Sequence, residues 1–173
     1  KYGLYLFLDG ARLGYGLAAP DNDLTLPDIA ALCDVFYIGG TKVGALFGEA
    51  VVIKNPELAQ DFRYLIKQNG GMLAKGRLLG LQFDALFTDG LYQEISAHAI
   101  AMAEKLREAF TAKGYTYLAP NRTNQIFVIV PDAHLAKISE QFEYSYDQRI
   151  DAAHSCVRFC TGWATKEENV DAL

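Results

Sequence analysis

The segment Leu4–Gly16, LYLFLDGARLGYG, indicates the fold of this 173-residue chain. Leu4–Leu8 is an uninterrupted apolar run, which is the pattern of a strand buried on both faces of a sheet. The run stops at Asp9, so a carboxylate stands at the carboxyl end of the strand, where ligands bind in open α/β sheets. Gly10 lets the backbone turn there, and Arg12 follows closely. A simple turn residue is the alternative for Asp9 taken by itself.

A second apolar strand is predicted at Val35–Ile38, and it leads into the sequence GGTK at residues 39–42. Between the two strands, a capping box at Thr25–Asp28 predicts a short helix. Strand, helix and strand within about 35 residues are typical of a right-handed βαβ unit with parallel strands. Because the carboxyl ends of parallel strands meet at one edge of the sheet, Lys42 and Asp9 are expected to face the same ligand.

The rest of the chain alternates predicted helices and strands. Pro at the first helical position, glycines after helix ends and apolar residues at helical spacing define most of these segments. The predicted elements are a strand at 45–53, a helix that begins after Asn55, helices at 72–87 and 92–113, strands at 115–118 and 126–130, a helix at 132–142, a strand at 155–160, and a last helix capped by Thr165 and Glu168.

Composition excludes several classes of protein. Apolar residues make up 51% of the chain, too many for a disordered protein, and no apolar run is long enough to span a membrane. The net charge is −5 without a basic cluster, so neither nucleic acid nor an anionic membrane is expected as a partner. Three cysteines in a chain of this size favour the reducing cytoplasm. His154, Cys156 and Cys160 lack a fourth ligand, so no metal site is expected.

Two linked motifs resemble those of the threonine aldolase and β-eliminating lyase family. They are LFLDGARLGYG at residues 6–16 and DVFYIGGTKVGALFGEAVVI at residues 34–53. Members of that family are pyridoxal-phosphate (PLP) enzymes of the aspartate aminotransferase-like fold, fold type I. The resemblance runs the full length of this chain but covers only the second part of a family member. We therefore expect a carboxyl-terminal fragment of such an enzyme.

The resemblance implies an α/β fold with two parts. Residues 1–90 would form the carboxyl-terminal part of the PLP-binding large domain, a mostly parallel sheet with helices, followed by a bridging helix. Residues 91–173 would form a small α+β domain that is truncated at its last helix. The predicted helices at 72–87 and 92–113 would connect the two domains.

The family's cofactor residues carry over to Lys42, Asp9 and Arg12, and Thr41, next to the lysine, is a further candidate. Lys42 would be the lysine that bonds to the PLP aldehyde, although a solvated loop lysine is the alternative. Asp9 would pair with the protonated pyridine nitrogen and so keep the ring an electron sink. Arg12 would hold the substrate carboxylate or contact the phenolic oxygen of the cofactor. Thr41 would reach the cofactor phosphate or serve as a turn residue. The glycines at 39 and 40 would let the cofactor approach the backbone.

Arg158, within CVRFC at residues 156–160, matches the arginine that family members use for the substrate α-carboxylate. A planar guanidinium suits this role because it bonds to both carboxylate oxygens. Arg158 alternates with Val157 and Phe159 and so points away from them, which fits a surface residue as well as a site residue. Lys75 and Arg77 are interpreted as a solvated helix face, with a phosphate contact as the alternative.

The resemblance implies a PLP-dependent lyase that cleaves threonine or allo-threonine, a β-hydroxy-α-amino acid, to glycine and an aldehyde. A β-eliminating lyase or an aminotransferase on the same scaffold is an alternative, because these enzymes would share Asp9, Lys42 and Arg158. A non-catalytic scaffold is an alternative from another class. By itself the fragment is expected to be inactive, because the resemblance places the phosphate-binding turn and the ring-stacking residue before Lys1. The complete protein is expected to be a homodimer or homotetramer.

Overall fold

The computed structural model describes residues 2–173 and divides them into two compact units. The first unit contains the residues up to Leu17 and Asn22–Glu94, and the second contains Ala18–Asp21 and Ile95–Leu173. Both units mix helices and strands, as the sequence predicts. No helix among residues 2–173 has an apolar stretch long enough to cross a membrane. The functions assigned to the two parts of the chain stay predictions.

The first unit is built around a three-stranded sheet in the order β1-β2-β3. Strands β1 and β2 are parallel, with Phe7 opposite Val35 and Leu8 opposite Phe36, whereas β3 runs antiparallel to β2. The elements are β1 (Phe7–Leu8), α1 (Leu13–Leu17), α2 (Leu26–Leu32), β2 (Val35–Gly39), β3 (Glu49–Ile53), α3 (Phe62–Gln68), α4 (Arg77–Phe87), 3₁₀ turns at Pro56–Ala59 and Thr88–Gly90, and the start of α5 (Leu91–Ala112).

The second unit contains an antiparallel sheet in the order β4-β5-β7-β6. Besides the rest of α5, it comprises β4 (Thr116–Tyr117), β5 (Gln125–Pro131), α6 (Asp132–Ser139), β6 (Ser145–Arg149), β7 (His154–Cys160) and α7 (Glu167–Ala172). Apolar side chains of α5, β5 and β7, with Val170 of α7, form its core. This core covers one face of the sheet and fixes β7 between two neighbouring strands.

The predicted βαβ unit is confirmed, including its capping box. The backbone N–H of Thr25 donates to Asp28 Oδ2 at 2.8 Å, and the backbone N–H of Asp28 donates to Thr25 Oγ1 at 3.4 Å. The helix that begins there packs Ile29 and Cys33 against Phe36 of β2. Cys33 is buried in this contact, and the crossover helix holds the two parallel strands in one sheet.

The prediction that Leu4–Leu8 forms a strand buried on both faces is wrong. Only Phe7 and Leu8 are in a strand, and Leu4 and Phe7 are 82% and 60% exposed. Among residues 2–173, β2 is the only strand that pairs with β1, so the other edge of β1 has no partner. An apolar pattern shows what a strand is suited to bury, whereas burial itself needs a second surface.

Several predicted boundaries also change where a turn interrupts the pattern. The strand predicted from residue 45 begins at Glu49, after Gly48, whose φ is +91°. The helix predicted after Asn55 is a 3₁₀ turn and a separate α3, because Asp61 has a left-handed φ of 56°. The helix predicted at 72–87 is helical only from Arg77, where α4 starts.

The carboxyl-terminal part differs from the prediction at two places. Strand β6 was not predicted, because Ser145–Arg149 is polar and exposed along its whole length and so shows no alternation. Thr165 does not cap the last helix: Lys166 stands at the N-cap position without a side-chain bond. Thr165 Oγ1 instead accepts the backbone N–H of Gly162 at 2.8 Å, so a competing turn takes the hydroxyl.

Two glycines let the ends of β1 and β2 touch. The backbone N–H of Gly39 donates to the carbonyl of Gly10 at 2.9 Å. A Cβ atom at Gly10 would lie 1.6 Å from the carbonyl oxygen of Tyr37, and one at Gly39 would lie 2.4 Å from that of Ala11. A Cβ at Gly40 would likewise meet Phe83 and Gly48. The protein's own atoms therefore occupy the space that a Cβ would need at these glycines, and the approach of a cofactor to Gly39 and Gly40 stays a prediction.

The Tyr92 side chain connects the segment after β1 with the end of β2. It is buried, and its hydroxyl accepts the backbone N–H of Gly14 and donates to the carbonyl of Gly39, both at 3.0 Å. Burial raises the pKa of Tyr92 to about 12, so the phenol stays neutral at physiological pH. One side chain thus satisfies a donor after β1 and an acceptor at the end of β2.

Replacing Gly10 by alanine tests the close approach of the strand ends. We expect the Gly10→Ala protein to lose about 1–3 kcal/mol or more of its free energy of unfolding, because a methyl group cannot share the space of a carbonyl oxygen. Gly80→Ala is the matched control, since Gly80 lies in α4 and an added Cβ would meet no neighbouring atom of residues 2–173 within 4 Å. That control should be stabilised by up to about 1 kcal/mol. Equal denaturant midpoints for Gly10→Ala and wild type would contradict the packing.

Removing the Tyr92 hydroxyl should destabilise the protein in a pH-dependent way. Tyr92→Phe leaves two buried backbone groups without a partner, which costs about 2 kcal/mol or more at pH 8. Because the folded pKa lies above the ordinary value of 10.0, this stabilisation is complete below pH 10 and is lost as the pH rises through 12. Denaturation measured from pH 8 to 12 should therefore show that the difference in free energy of unfolding between wild type and Tyr92→Phe becomes smaller as the pH rises. Tyr64→Phe, on an exposed tyrosine, should show no gap.

Candidate functional site

Asp9 and Tyr37 lie side by side at the ends of β1 and β2. The Tyr37 hydroxyl donates a hydrogen bond to Asp9 Oδ1, and the backbone N–H of Ala11 donates to the same oxygen at 3.1 Å. Within residues 2–173, Asp9 Oδ2 has no hydrogen-bond partner. The carboxylate is exposed, so one of its oxygens is fixed by the protein and the other is open to a ligand.

Several neighbours act electrostatically on the Asp9 carboxylate. The hydrogen bond from Tyr37 lowers the pKa of Asp9 most, the backbone N–H of Ala11 lowers it further, and the positive charges of Lys42 and Arg12 act in the same direction. The sum keeps Asp9 ionised at neutral pH. In return, Asp9 raises the pKa of Tyr37 to about 12, so the phenol remains a proton donor.

Lys42 lies in the loop after β2, and its backbone is anchored. The Tyr15 hydroxyl donates to the carbonyl of Lys42, and the next residue, Val43, is fully buried. The backbone N–H of Gly40 donates to Glu49 Oε2 at 2.8 Å, which ties the start of the loop to β3. The Lys42 side chain is exposed and makes no hydrogen bond or ion pair with residues 2–173. The loop therefore presents a free amine on a fixed backbone.

The structure brings Arg12 to the same edge of the sheet, immediately before α1. Its guanidinium is partly exposed and unpaired within the described chain, and its charge acts on Asp9. Thr41 is exposed, and its hydroxyl donates to the carbonyl of Gly48 at 3.4 Å. This contact fits the interpretation of Thr41 as a turn residue, and its phosphate contact stays a prediction. Arg77 and the nearby Lys75 are both exposed.

Arg158 belongs to the second unit, where it lies in the middle of β7. Its Nη1 donates to Gln125 Oε1 at 3.2 Å and its Nη2 donates to Ser145 Oγ at 3.3 Å, so both neighbouring strands hold the guanidinium. Val157 and Phe159 are buried while Arg158 is partly exposed, which confirms the predicted alternation. The Nε atom of Arg158 is buried and has no hydrogen-bond partner within residues 2–173.

Tyr37, Gln125 and Ser145 were missed by the sequence analysis. Tyr37 could have been found from the sequence, because the parallel register that pairs Leu8 with Phe36 places Asp9 beside Tyr37. Gln125 and Ser145 had none, since they reach Arg158 across strands whose pairing the sequence leaves open. Among residues 2–173, no group of three His, Cys, Asp or Glu side chains could hold a metal ion.

Comparisons with known proteins give a consistent result. No protein-family model matches the chain. A low specificity L-threonine aldolase from Pseudomonas sp. (strain NCIMB 10558) is 31% identical over 177 residues, which cover 100% of this chain and 49% of that protein. A solved structure of Leishmania major threonine aldolase matches with a TM-score of 0.97 and 44% identity, over 99% of this chain and 50% of that chain.

A more distant match defines the fold alone. Sphingomonas wittichii serine palmitoyltransferase matches with a TM-score of 0.66 at 16% identity, over 98% of this chain and 45% of that chain. The α/β fold of the type I PLP enzymes, expected from the sequence, is thereby confirmed. The chain spans about half the length of the relatives it matches. Over its whole length, the chain is similar to about half of a threonine aldolase chain.

Proposed function

We propose that the protein containing this chain is a PLP-dependent lyase that cleaves threonine or allo-threonine to glycine and acetaldehyde. The observation that supports this most directly is the ionised Asp9 carboxylate at the end of β1. The positive charges of Lys42 and Arg12, at the same edge of the sheet, help to lower its pKa. The names of the relatives favour threonine as the substrate. In the reaction, the Cα–Cβ bond breaks, the β-hydroxyl loses its proton to become the aldehyde, and the α carbon gains a proton.

The residues at the sheet edge fit a pyridine ring. A pyridinium nitrogen needs an ionised acceptor, and Asp9 is held ionised with Oδ2 open. When bound, PLP supplies an aldehyde for the substrate amine and a ring that accepts the electron pair left on the α carbon. The role of Asp9 is to hold a proton at the ring nitrogen, because an adjacent negative charge favours the protonated form.

Lys42 has the properties required of the residue that bonds to the cofactor aldehyde. Its amine is exposed, unpaired within the described chain and carried on a loop whose backbone is anchored by Tyr15 and Val43. An anchored backbone limits the positions the amine can reach and so favours one reacting geometry. Arg12 is proposed for the substrate carboxylate or the phenolic oxygen of the cofactor, and Thr41 for its phosphate.

Arg158 is proposed to bind the α-carboxylate of the substrate. Bonds from Nη1 to Gln125 and from Nη2 to Ser145 hold its planar group from both sides. Each Nη nitrogen carries two protons, so both keep a donor for a carboxylate oxygen. The oligomeric state and the cytoplasmic location stay predictions of the sequence analysis.

The proposed activity is tested by incubating the complete protein and PLP with threonine. We expect acetaldehyde and glycine, and we expect Lys42→Ala to lose at least about 10²-fold in rate, along with the visible absorbance of the bound cofactor. Lys54→Ala is the matched control, because Lys54 is an exposed lysine of the same unit without an ion pair in the described chain. Pyruvate and ammonia from serine, without acetaldehyde from threonine, would favour β-elimination. A colourless protein indifferent to PLP would favour the scaffold.

The role of Arg158 is tested by Arg158→Lys in the complete protein. A lysine keeps the charge but cannot bond both carboxylate oxygens in a planar fork, so we expect KM for threonine to rise about tenfold while kcat changes less. The control is Arg63→Lys, which replaces an exposed arginine of α3 that has no ion pair within residues 2–173. An unchanged KM would remove Arg158 from the substrate site.

A further inference from the structure

We propose that Tyr37 is the positioning residue of Asp9: its hydroxyl fixes one carboxylate oxygen and leaves the other for the pyridine nitrogen of PLP. The inference rests on the proposed function, because it takes Asp9 as the partner of the cofactor ring. It adds a residue of β2 to a site that sequence reasoning assigned only to Asp9, Arg12, Thr41 and Lys42.

The strand register places Tyr37 beside Asp9. Phe7 pairs with Val35 and Leu8 with Phe36, so the next residues of the parallel strands lie opposite each other. The ring of Tyr37 also packs against that of Phe7, with centroids 6.2 Å apart and planes tilted by 47°. The phenol is therefore held by its own strand and by a ring contact, independently of the hydrogen bond.

The two carboxylate oxygens of Asp9 differ in their hydrogen bonds. Oδ1 accepts the hydroxyl of Tyr37 and the backbone N–H of Ala11, whereas Oδ2 accepts nothing from residues 2–173. Two donors on one oxygen fix the orientation of the whole carboxylate, since its two oxygens are rigidly linked. A ligand that bonds to Oδ2 then finds the acceptor already ordered, which reduces the entropy lost on binding.

Charge supports the same assignment. All four groups that face Asp9, namely the Tyr37 hydroxyl, the Ala11 amide, Lys42 and Arg12, lower its pKa, and Tyr37 does so most. Glu49 is the other acid that acts on Tyr37. A less basic carboxylate accepts a hydrogen bond from the ring nitrogen without taking its proton. A polar contact at an exposed position contributes little to the free energy of unfolding. Stability alone therefore gives little reason for the hydrogen bond between Tyr37 and Asp9.

The test is Tyr37→Phe in the complete protein, because it keeps the ring and removes only the hydroxyl. The dissociation constant of PLP is measured on the apoprotein by absorbance or fluorescence, from neutral to acidic pH. We expect it to rise about 3- to 10-fold at neutral pH, as one hydrogen bond to a charged group is lost. We also expect the acidic loss of binding to move to higher pH, because Asp9 without its donor is protonated more easily. Tyr64→Phe is the control and should change neither value.

An unchanged dissociation constant and an unchanged acid midpoint in Tyr37→Phe would overturn the inference. If that variant does not fold, the titration of Tyr37 in wild type and in Asp9→Asn decides instead, followed by the assigned NMR signal of its ring, because Tyr92 also has a pKa of about 12. The phenol should ionise near pH 12 in wild type and closer to its ordinary 10.0 in Asp9→Asn, and equal values would again overturn the inference.

These outcomes are separate from those of the proposed function. If PLP binding depends on Tyr37 as described but threonine yields no acetaldehyde, the aldolase activity fails and the positioning role stands. If threonine is cleaved and Tyr37→Phe leaves PLP binding unchanged at every pH, the positioning role fails alone.

Discussion

The structure around the candidate site depends on the backbone contact between Gly10 and Gly39. Their direct hydrogen bond, at 2.9 Å, brings the loop after β1 against the end of β2. No other residue type fits, because a Cβ at either position would overlap a backbone carbonyl. The contact sets the relative position of Asp9, Tyr37 and Lys42. The relative position of their backbones therefore follows from this contact, and the Tyr37 hydroxyl then orients the Asp9 carboxylate.

This backbone contact also explains the charge distribution of the site. Asp9 emerges where two positive side chains, Lys42 and Arg12, act on it from the same sheet edge, and the Tyr37 hydroxyl is near enough to bond to it. The carboxylate is ionised because donors and positive charges surround it, not because it is buried. The second unit holds Arg158 by a similar principle, with a polar group on each neighbouring strand.

The residues found from the sequence share one property. Asp9 and Lys42 are charged residues that follow apolar strands, so both are easily recognised in the sequence. In open α/β sheets, ligands bind at the carboxyl ends of the strands, where these two residues lie. Tyr37 lies inside an apolar strand, where aromatic residues are common and do not indicate a functional site. Ser145 lies in a polar, exposed strand that periodicity does not detect. Both residues make their contacts across strands, and such contacts depend on a register that one sequence does not state.

The sequence by itself determined the local elements of this protein: the capping box at Thr25–Asp28, the βαβ order and the two motifs of the candidate site. These follow from hydrogen bonds and periodicities within a few residues. Only the tertiary structure decided that Leu4–Leu8 is largely exposed, that Gly39 is required by the backbone beside it, and that Thr165 bonds to Gly162 rather than capping a helix. The physical reason is that burial, close approach and competing hydrogen bonds depend on which distant segments meet in space.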